Sequence, residues 1–232
     1  MFRTIIFLSI FCLLASCSNG ENNIVMNDTL TPGEHSYLAL GDSYTIAQSV
    51  PSTESYPAQT VNILSAENIK FVAPEIIART GWTTTDLLSK INSSPPQRSS
   101  YDIVTLLIGV NNQYQHLSED QYKIEFATLL TKAIQYAHNE KKRVIVLSIP
   151  DYGVTPFAQG SDTAYIAQQI DLFNQINETI ALEKGVNYLD ITTYTRVTTD
   201  RSLVAFDGLH PSGKEYGIWS KDLAAMIKSI LK

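Results

Sequence analysis

The sequence predicts an α/β domain in which a parallel sheet is covered by helices on both faces. Short apolar runs of strand length alternate with segments whose apolar residues recur at helical spacing, and 232 residues suit one such domain better than two. The hydrophobic content of 44% against 17% charged residues is enough to build a packed core and argues against disorder of the whole chain.

The N-terminus departs from this pattern. Phe2-Arg3-Thr4 makes a short positive start, Ile5 to Leu14 is largely apolar, and the small residues Ala15-Ser16-Cys17 follow. This is signal-peptide anatomy, and the stretch is short against the ~20 apolar residues of a spanning helix. Leu14-Ala15-Ser16-Cys17 resembles the lipobox of bacterial lipoproteins, in which the signal is cut before a cysteine that then carries lipid. The expected division is a signal peptide over 1–16, a lipidated Cys17 with a flexible polar spacer over 17–34, and a folded domain over 35–232. The resemblance implies a membrane tether through Cys17 at the bacterial envelope, on an outer membrane or cell surface more than an inner one. A simple secreted protein with an incidental cysteine is the plainer alternative. Cys12 falls inside the signal, so the mature chain would keep one cysteine, with no internal disulfide and no thiol cluster for zinc.

The strand-length runs are Tyr37–Leu40, Ile69–Ala73, Ile103–Ile108, Val144–Ile149 and Val186–Ile191. The third and fourth are almost continuously apolar, as strands buried on both faces should be. Ser118-Glu119-Asp120-Gln121 matches a capping box, and Tyr122, Phe126, Leu129, Ala133 and Ala137 then recur at helical spacing. Ile166, Ile170, Phe173, Ile176 and Ile180 repeat the pattern, with Gly185 as a stop signal. A last helix is expected from near Pro211, with Tyr216, Trp219, Leu223, Met226 and Ile230 on one face. These stripes belong to the core and carry no function of their own.

A net charge of −6 argues against a nucleic-acid partner, which would require clustered Lys and Arg. The one basic cluster, Lys141-Lys142-Arg143, flanks an apolar run and reads as a strand edge.

Ligands of open parallel sheets bind beyond the carboxyl ends of the strands, so the polar residues that follow each run are the candidates for chemistry. Gly41-Asp42-Ser43-Tyr44-Thr45 follows the first run and would place Ser43 at a strand-to-helix junction. It lacks the second glycine of the Gly-X-Ser-X-Gly elbow, and alone it is a common turn sequence. Ala78-Arg79-Thr80-Gly81-Trp82-Thr83-Thr84 follows the second run. Gly81 can bring its N–H close to a substrate oxygen, though the segment also reads as a helix start capped by Thr83 or Thr84. Gly109-Val110-Asn111-Asn112-Gln113 follows the third run, where one of two adjacent amides can aim its N–H₂ at a ligand or both can belong to a polar turn. Asp207 and His210 in Phe206-Asp207-Gly208-Leu209-His210-Pro211 can face each other if the backbone turns back, the carboxylate then fixing the imidazole tautomer. His35, His116 and His138 read as spacer, loop and helix-surface residues. Taken together, these segments supply a nucleophile, a base, an orienting acid and two kinds of oxyanion donor, the inventory of acyl transfer.

In order and approximate spacing the segments resemble the signature blocks of the GDSL-type SGNH hydrolases. The blocks match at Gly41-Asp42-Ser43 (with Tyr44 for the usual leucine), at Gly81, at Gly109-Val110-Asn111 and at Asp207-Gly208-Leu209-His210. The resemblance runs from about Ser36 to the end of the chain. It implies a three-layer α/β/α, flavodoxin-like fold with five parallel strands in the order 2-1-3-4-5. It also implies esterase, lipase or acyltransferase chemistry without a metal or cofactor, with Ser43, Asp207 and His210 as catalytic residues. The oxyanion hole would comprise the Ser43 and Gly81 backbone N–H groups and the Asn111 side chain. Asn112 stands where the family usually has an aspartate, which leaves two amides competing for the site; Asn111 is expected there by position.

Trp82, Asn112, Tyr114 and Tyr152 follow predicted strands and are expected to line a substrate pocket. The substrate would be a lipid, glycan or small ester, with short acyl chains favoured because no apolar run marks a lid, and the domain is expected to be a monomer. Competing readings are an envelope lipoprotein that binds glycans or lipids without turnover, a flavodoxin-like cofactor or signalling domain, and an acyltransferase.

Overall fold

The most continuously apolar segments lie in the middle of the sheet, where neither face meets water. In the computed structural model, which describes residues 30–197 and 199–232, the chain runs β1 (Glu34–His35), β2 (Tyr37–Gly41), α1 (Tyr56–Ala66), β3 (Lys70–Phe71), β4 (Glu75–Ala78), α2 (Thr84–Ser93), β5 (Ile103–Leu107), α3 (Val110–Tyr114), α4 (Glu119–Tyr136), β6 (Val144–Leu147), α5 (Thr163–Lys184), β7 (Asn187–Leu189), α6 (Thr192–Arg196) and α7 (Gly213–Ile230). Five of the strands form one parallel sheet in the order β4-β2-β5-β6-β7. This is the 2-1-3-4-5 order that the resemblance implies.

Every residue of β2, β5 and β6 is buried, whereas the edge strands β4 and β7 are only partly covered. Thr105 is the polar exception in β5; its Oγ1 lies 3.0 Å from the Tyr37 hydroxyl and 3.3 Å from that of Tyr56. A buried hydroxyl is tolerable only when partnered in this way. Helices α1 and α7 pack together, and α4 packs between α2 and α5. These are the two outer layers of a doubly wound sheet.

The caps explain where the helices start and stop. Ser118 accepts from the Gln121 N–H at the start of α4, but the Gln121 side chain does not return the bond; its Nε2 donates to Glu125 at 2.9 Å. The complete capping box lies at α2, where Thr83 and Asp86 satisfy each other's backbone N–H. Gly185 ends α5 in the left-handed region at φ +73, which costs a glycine little. The last helix begins at Gly213, capped by Ser212.

The second strand is displaced from its expected position. Of Ile69–Ala73, only Lys70–Phe71 pairs, and with Glu34–His35 in a separate two-stranded sheet. The strand that enters the main sheet is Glu75–Ala78, beyond Pro74. Proline has no N–H to give a ladder, so it divides the segment into two pieces. The same pairing shortens the expected spacer, because Glu34 and His35 belong to β1 and the His35 ring packs on Phe71 at 5.2 Å. The expected signal peptide, Cys17 and most of the spacer lie outside the described residues. Among the described residues no helix is long and apolar enough to cross a membrane.

Candidate active site

The turn after β2 is built around two tight contacts. A Cβ on Gly41 would lie 2.4 Å from the Leu107 carbonyl oxygen and 2.1 Å from Thr45 Oγ1, so only glycine fits between β2 and β5 here. Asp42 is buried and its Oδ1 accepts from the Tyr44 N–H at 3.0 Å, which shapes the turn. Burial pushes the Asp42 carboxyl up to about 7, against the opposing effect of backbone N–H donors. Ser43 follows, 5% exposed. It stands in a run of turns over residues 42–50, and α1 begins only at Tyr56, so the expected direct junction of strand and helix is replaced by a longer connection.

Gly81 lies in the loop between β4 and α2 with φ +83, and nothing lies within 4 Å of where its Cβ would be. The backbone conformation and the open space both suit a glycine whose N–H faces a ligand. Gly109 precedes α3 with φ +133, and a Cβ there would lie 2.6 Å from the Tyr122 ring. The backbone at this point therefore packs directly on Tyr122 and Ile149.

The two adjacent amides of α3 have separate partners. Asn111 donates from Nδ2 to the Trp82 carbonyl at 2.9 Å, which leaves its second N–H for other use. Asn112 is 1% exposed; its Oδ1 accepts from Thr84 N at 3.0 Å and its Nδ2 donates to Thr84 Oγ1 at 2.7 Å. Asn112 therefore holds the start of α2 and does not line a substrate pocket, contrary to expectation. An amide can give and accept at once, which the aspartate usual at this position cannot do when ionised.

Asp207 and His210 come together because their loop doubles back. Ala205 N donates to the His210 carbonyl at 2.7 Å, Val204 pairs with Pro211, and Gly208 turns with φ +73. Asp207 Oδ2 lies 2.6 Å from His210 Nδ1, and Oδ1 accepts from the Leu209 and His210 N–H groups at 2.9 and 3.0 Å. Partial burial would raise this carboxyl, but hydrogen bonds from Ser49, the imidazole and the two backbone N–H groups hold it well below the usual carboxylate range. The ring of Tyr44 meets His210 edge-on at 5.7 Å.

Ser43, Gly81, Asn111 and His210 line one cleft of about 160 Å³, open at its mouth. Tyr114, Tyr152 and Phe157 form its aromatic wall, with ring centroids 5.9 to 6.4 Å apart. Of the residues expected at a substrate pocket, Tyr114 and Tyr152 line this cleft, whereas the Trp82 indole packs on the core and its carbonyl accepts from Asn111. A second cavity of about 280 Å³ shares Tyr44, Tyr152, Leu209 and His210 with the first. Among the described residues no group of three or more His, Cys, Asp or Glu side chains is placed to hold a metal ion.

Sequence reasoning missed Phe157 and Ser49. Phe157 sits in an isolated turn that no periodicity marks, and its N–H donates to the Gly208 carbonyl at 2.9 Å. Ser49 reaches Asp207 across a long sequence separation that gives no local signal.

The three-layer fold, with an aromatic-walled cleft at the strand ends, is the architecture of GDSL-type, or SGNH, carboxylic ester hydrolases. Residues 39–218 match the GDSL-like lipase/acylhydrolase family model, and the chain belongs to that family. The fold is similar to that of TesA (17% identity, TM-score 0.66, covering 84% of this chain and 99% of that one). It is also similar to the acetylxylan esterase Axe2 from Geobacillus stearothermophilus (19%, TM-score 0.65, 83% and 94%). A lipase/acylhydrolase from Enterococcus faecalis is alike to the same degree (18%, TM-score 0.65, 84% and 96%). A search of curated proteins returns no match.

Proposed function

We propose that the chain hydrolyses carboxylic esters through an acyl-enzyme on Ser43. The observation that carries this reading is the Asp207–His210 pair, 2.6 Å apart, whose imidazole opens on the same cleft as Ser43, Gly81 and Asn111. Ser43 Oγ would attack the ester carbonyl while His210 Nε2 takes its proton, with Asp207 stabilising the imidazolium. The carbonyl oxygen, now negative, would receive the Ser43 and Gly81 N–H groups and the free N–H of Asn111. Collapse of this adduct would expel the alcohol, protonated by His210. Water activated by the same base would then release the acid and restore Ser43.

The acyl group would occupy the aromatic-walled cleft. The leaving alcohol, which needs the His210 proton, would lie towards the larger cavity, which that residue also lines. The smaller cleft suits short acyl chains, and Axe2, a structural neighbour, is an esterase of acetylated xylan. A short-chain ester of a sugar or small alcohol is therefore the favoured substrate. Transfer of the acyl group to an alcohol acceptor would use the same residues. Leu14-Ala15-Ser16-Cys17 supports a lipid tether on Cys17 at the bacterial envelope. Metabolic labelling with a palmitate analogue should mark the wild type and not Cys17→Ser; equal labelling would remove the anchor.

The test of the chemistry is hydrolysis of p-nitrophenyl acetate, butyrate and octanoate by the folded domain beside Ser43→Ala. Turnover that is strongest on acetate and lost in Ser43→Ala is expected. Undiminished turnover by Ser43→Ala would overturn the assignment of the nucleophile, and a steep preference for octanoate would overturn the short-chain reading.

A further inference from the structure

The Asp207 carboxylate accepts four hydrogen bonds. Three come from its own loop: the Leu209 and His210 N–H groups at Oδ1 and the His210 imidazole at Oδ2. The fourth comes from Ser49 Oγ, 2.5 Å from Oδ2. A carboxylate has about four acceptor sites, so none is left over. The Ser49 bond differs from the others because it joins the acid–base loop to the turn that carries Ser43. That turn is hydrogen-bonded back to the nucleophile, Gln48 N donating to the Ser43 carbonyl at 3.0 Å.

The backbone at Ser49 is strained. Ser49 has φ +71 and Ala47 φ +59, the left-handed region that side chains other than glycine's seldom adopt. A strained residue persists where the surroundings over-determine it, and such residues cluster at functional sites. Between them, Gln48 Oε1 accepts from Thr80 Oγ1 at 2.6 Å, beside Gly81. One short turn after the nucleophile thus reaches both the triad acid and the oxyanion loop.

We propose that Ser49 is a positioning residue for the catalytic pair, its hydroxyl pinning Oδ2 of Asp207 and so holding the His210 loop in register with Ser43. This rests on the triad reading given above. Among the interactions that lower the Asp207 carboxyl, the Ser49 bond is the largest. Without it, the three bonds that remain on the carboxylate all come from its own loop, and the tie to the turn that carries Ser43 is lost.

The test is a pair of substitutions that separate hydroxyl from strain. Ser49→Gly removes the hydroxyl but relieves the backbone, so it should melt no lower than wild type. Its kcat on p-nitrophenyl acetate should nevertheless fall roughly tenfold, with KM changed less than about twofold, because misplacement of the base affects the reaction more than binding. The Nδ1–H proton of His210 in the Asp207 bond, followed by NMR without substrate, should shift and broaden as that geometry loosens. Ser49→Thr keeps the hydroxyl but adds a β-branch at positive φ; it should melt lower and keep the wild-type kcat and Nδ1–H signal. Ser49→Gly with wild-type kcat and an unmoved Nδ1–H signal would overturn the proposal. So would a lowered kcat in Ser49→Gly that only tracks a loss of folded protein. The NMR signal needs no turnover, so it stands apart from the outcome of the Ser43→Ala assay.

Discussion

Asn111 Nδ2 donates to the Trp82 carbonyl at 2.9 Å, so an amide in α3 holds the loop that carries Gly81 between β4 and α2. Two of the three proposed oxyanion donors are therefore mechanically one unit. Replacing Asn111 should remove a direct donor and also loosen the Gly81 N–H. Loss of one such donor typically costs ~10²–10³ in kcat. Asn111→Ala and Asn111→Asp should both fall at or beyond the upper end of that range, because aspartate keeps the shape but cannot donate. Steady-state kinetics on p-nitrophenyl acetate would check this, and Asn111→Asp with near wild-type kcat would remove the role.

Asp207→Asn should leave the loop folded while changing the imidazole tautomer, with kcat reduced on the order of 10⁴-fold as for triads in general. The same variant tests a pH dependence. The folded carboxyl is held below its unfolded value near ~3.9. Its contribution to stability is thus present above about pH 4 and is lost as pH falls towards the depressed value. The melting curves of wild type and Asp207→Asn should converge as the solution is acidified below about pH 4. A constant difference would show that the shift is absent.

Asp42 carries the opposite sign. Its folded carboxyl is raised to about 7, so the folded protein binds a proton that the unfolded chain has already lost. Stability should therefore decline as pH rises from about 4 to about 7 and then level off. Asp42→Asn keeps an oxygen for the Tyr44 N–H and has no charge to bury. It should flatten this decline and melt higher than wild type at pH 7. Thermal melts across pH 4 to 8 decide the matter, and parallel curves for the two proteins would refute it.

Gly109 and Gly81 separate steric from backbone demands. Both have positive φ, but a Cβ on Gly109 meets the Tyr122 ring at 2.6 Å whereas one on Gly81 meets nothing within 4 Å. Gly81→Ala should cost ~1–2 kcal/mol, the backbone penalty alone. Gly109→Ala should cost about 3 kcal/mol or more, because overpacking is added to it. Chemical denaturation of both variants would check the order, and equal losses would count against the packing argument.

The residue types and their periodicity determined the layers of this protein. β2, β5 and β6 are buried on both faces and so need unbroken apolar runs, which can be read directly. The three polar segments after the strands, which carry Ser43, Gly81 and Asn111, were legible for a related reason, since strand ends of a parallel sheet converge on one rim whatever their separation in sequence. Proline chemistry at residue 74 was also in the sequence, but its effect depended on which neighbouring strand was there to pair with Glu75–Ala78. Tertiary structure alone decided the rest. Asn111 and Asn112 are identical in type and adjacent, and only the positions of Trp82 and Thr84 send one to the cleft and bury the other. Ser49 meets Asp207 across a separation of 158 residues. Such a bond leaves no trace in composition or spacing, because it depends on the distance between two loops after folding and not on the preferences of either chain segment.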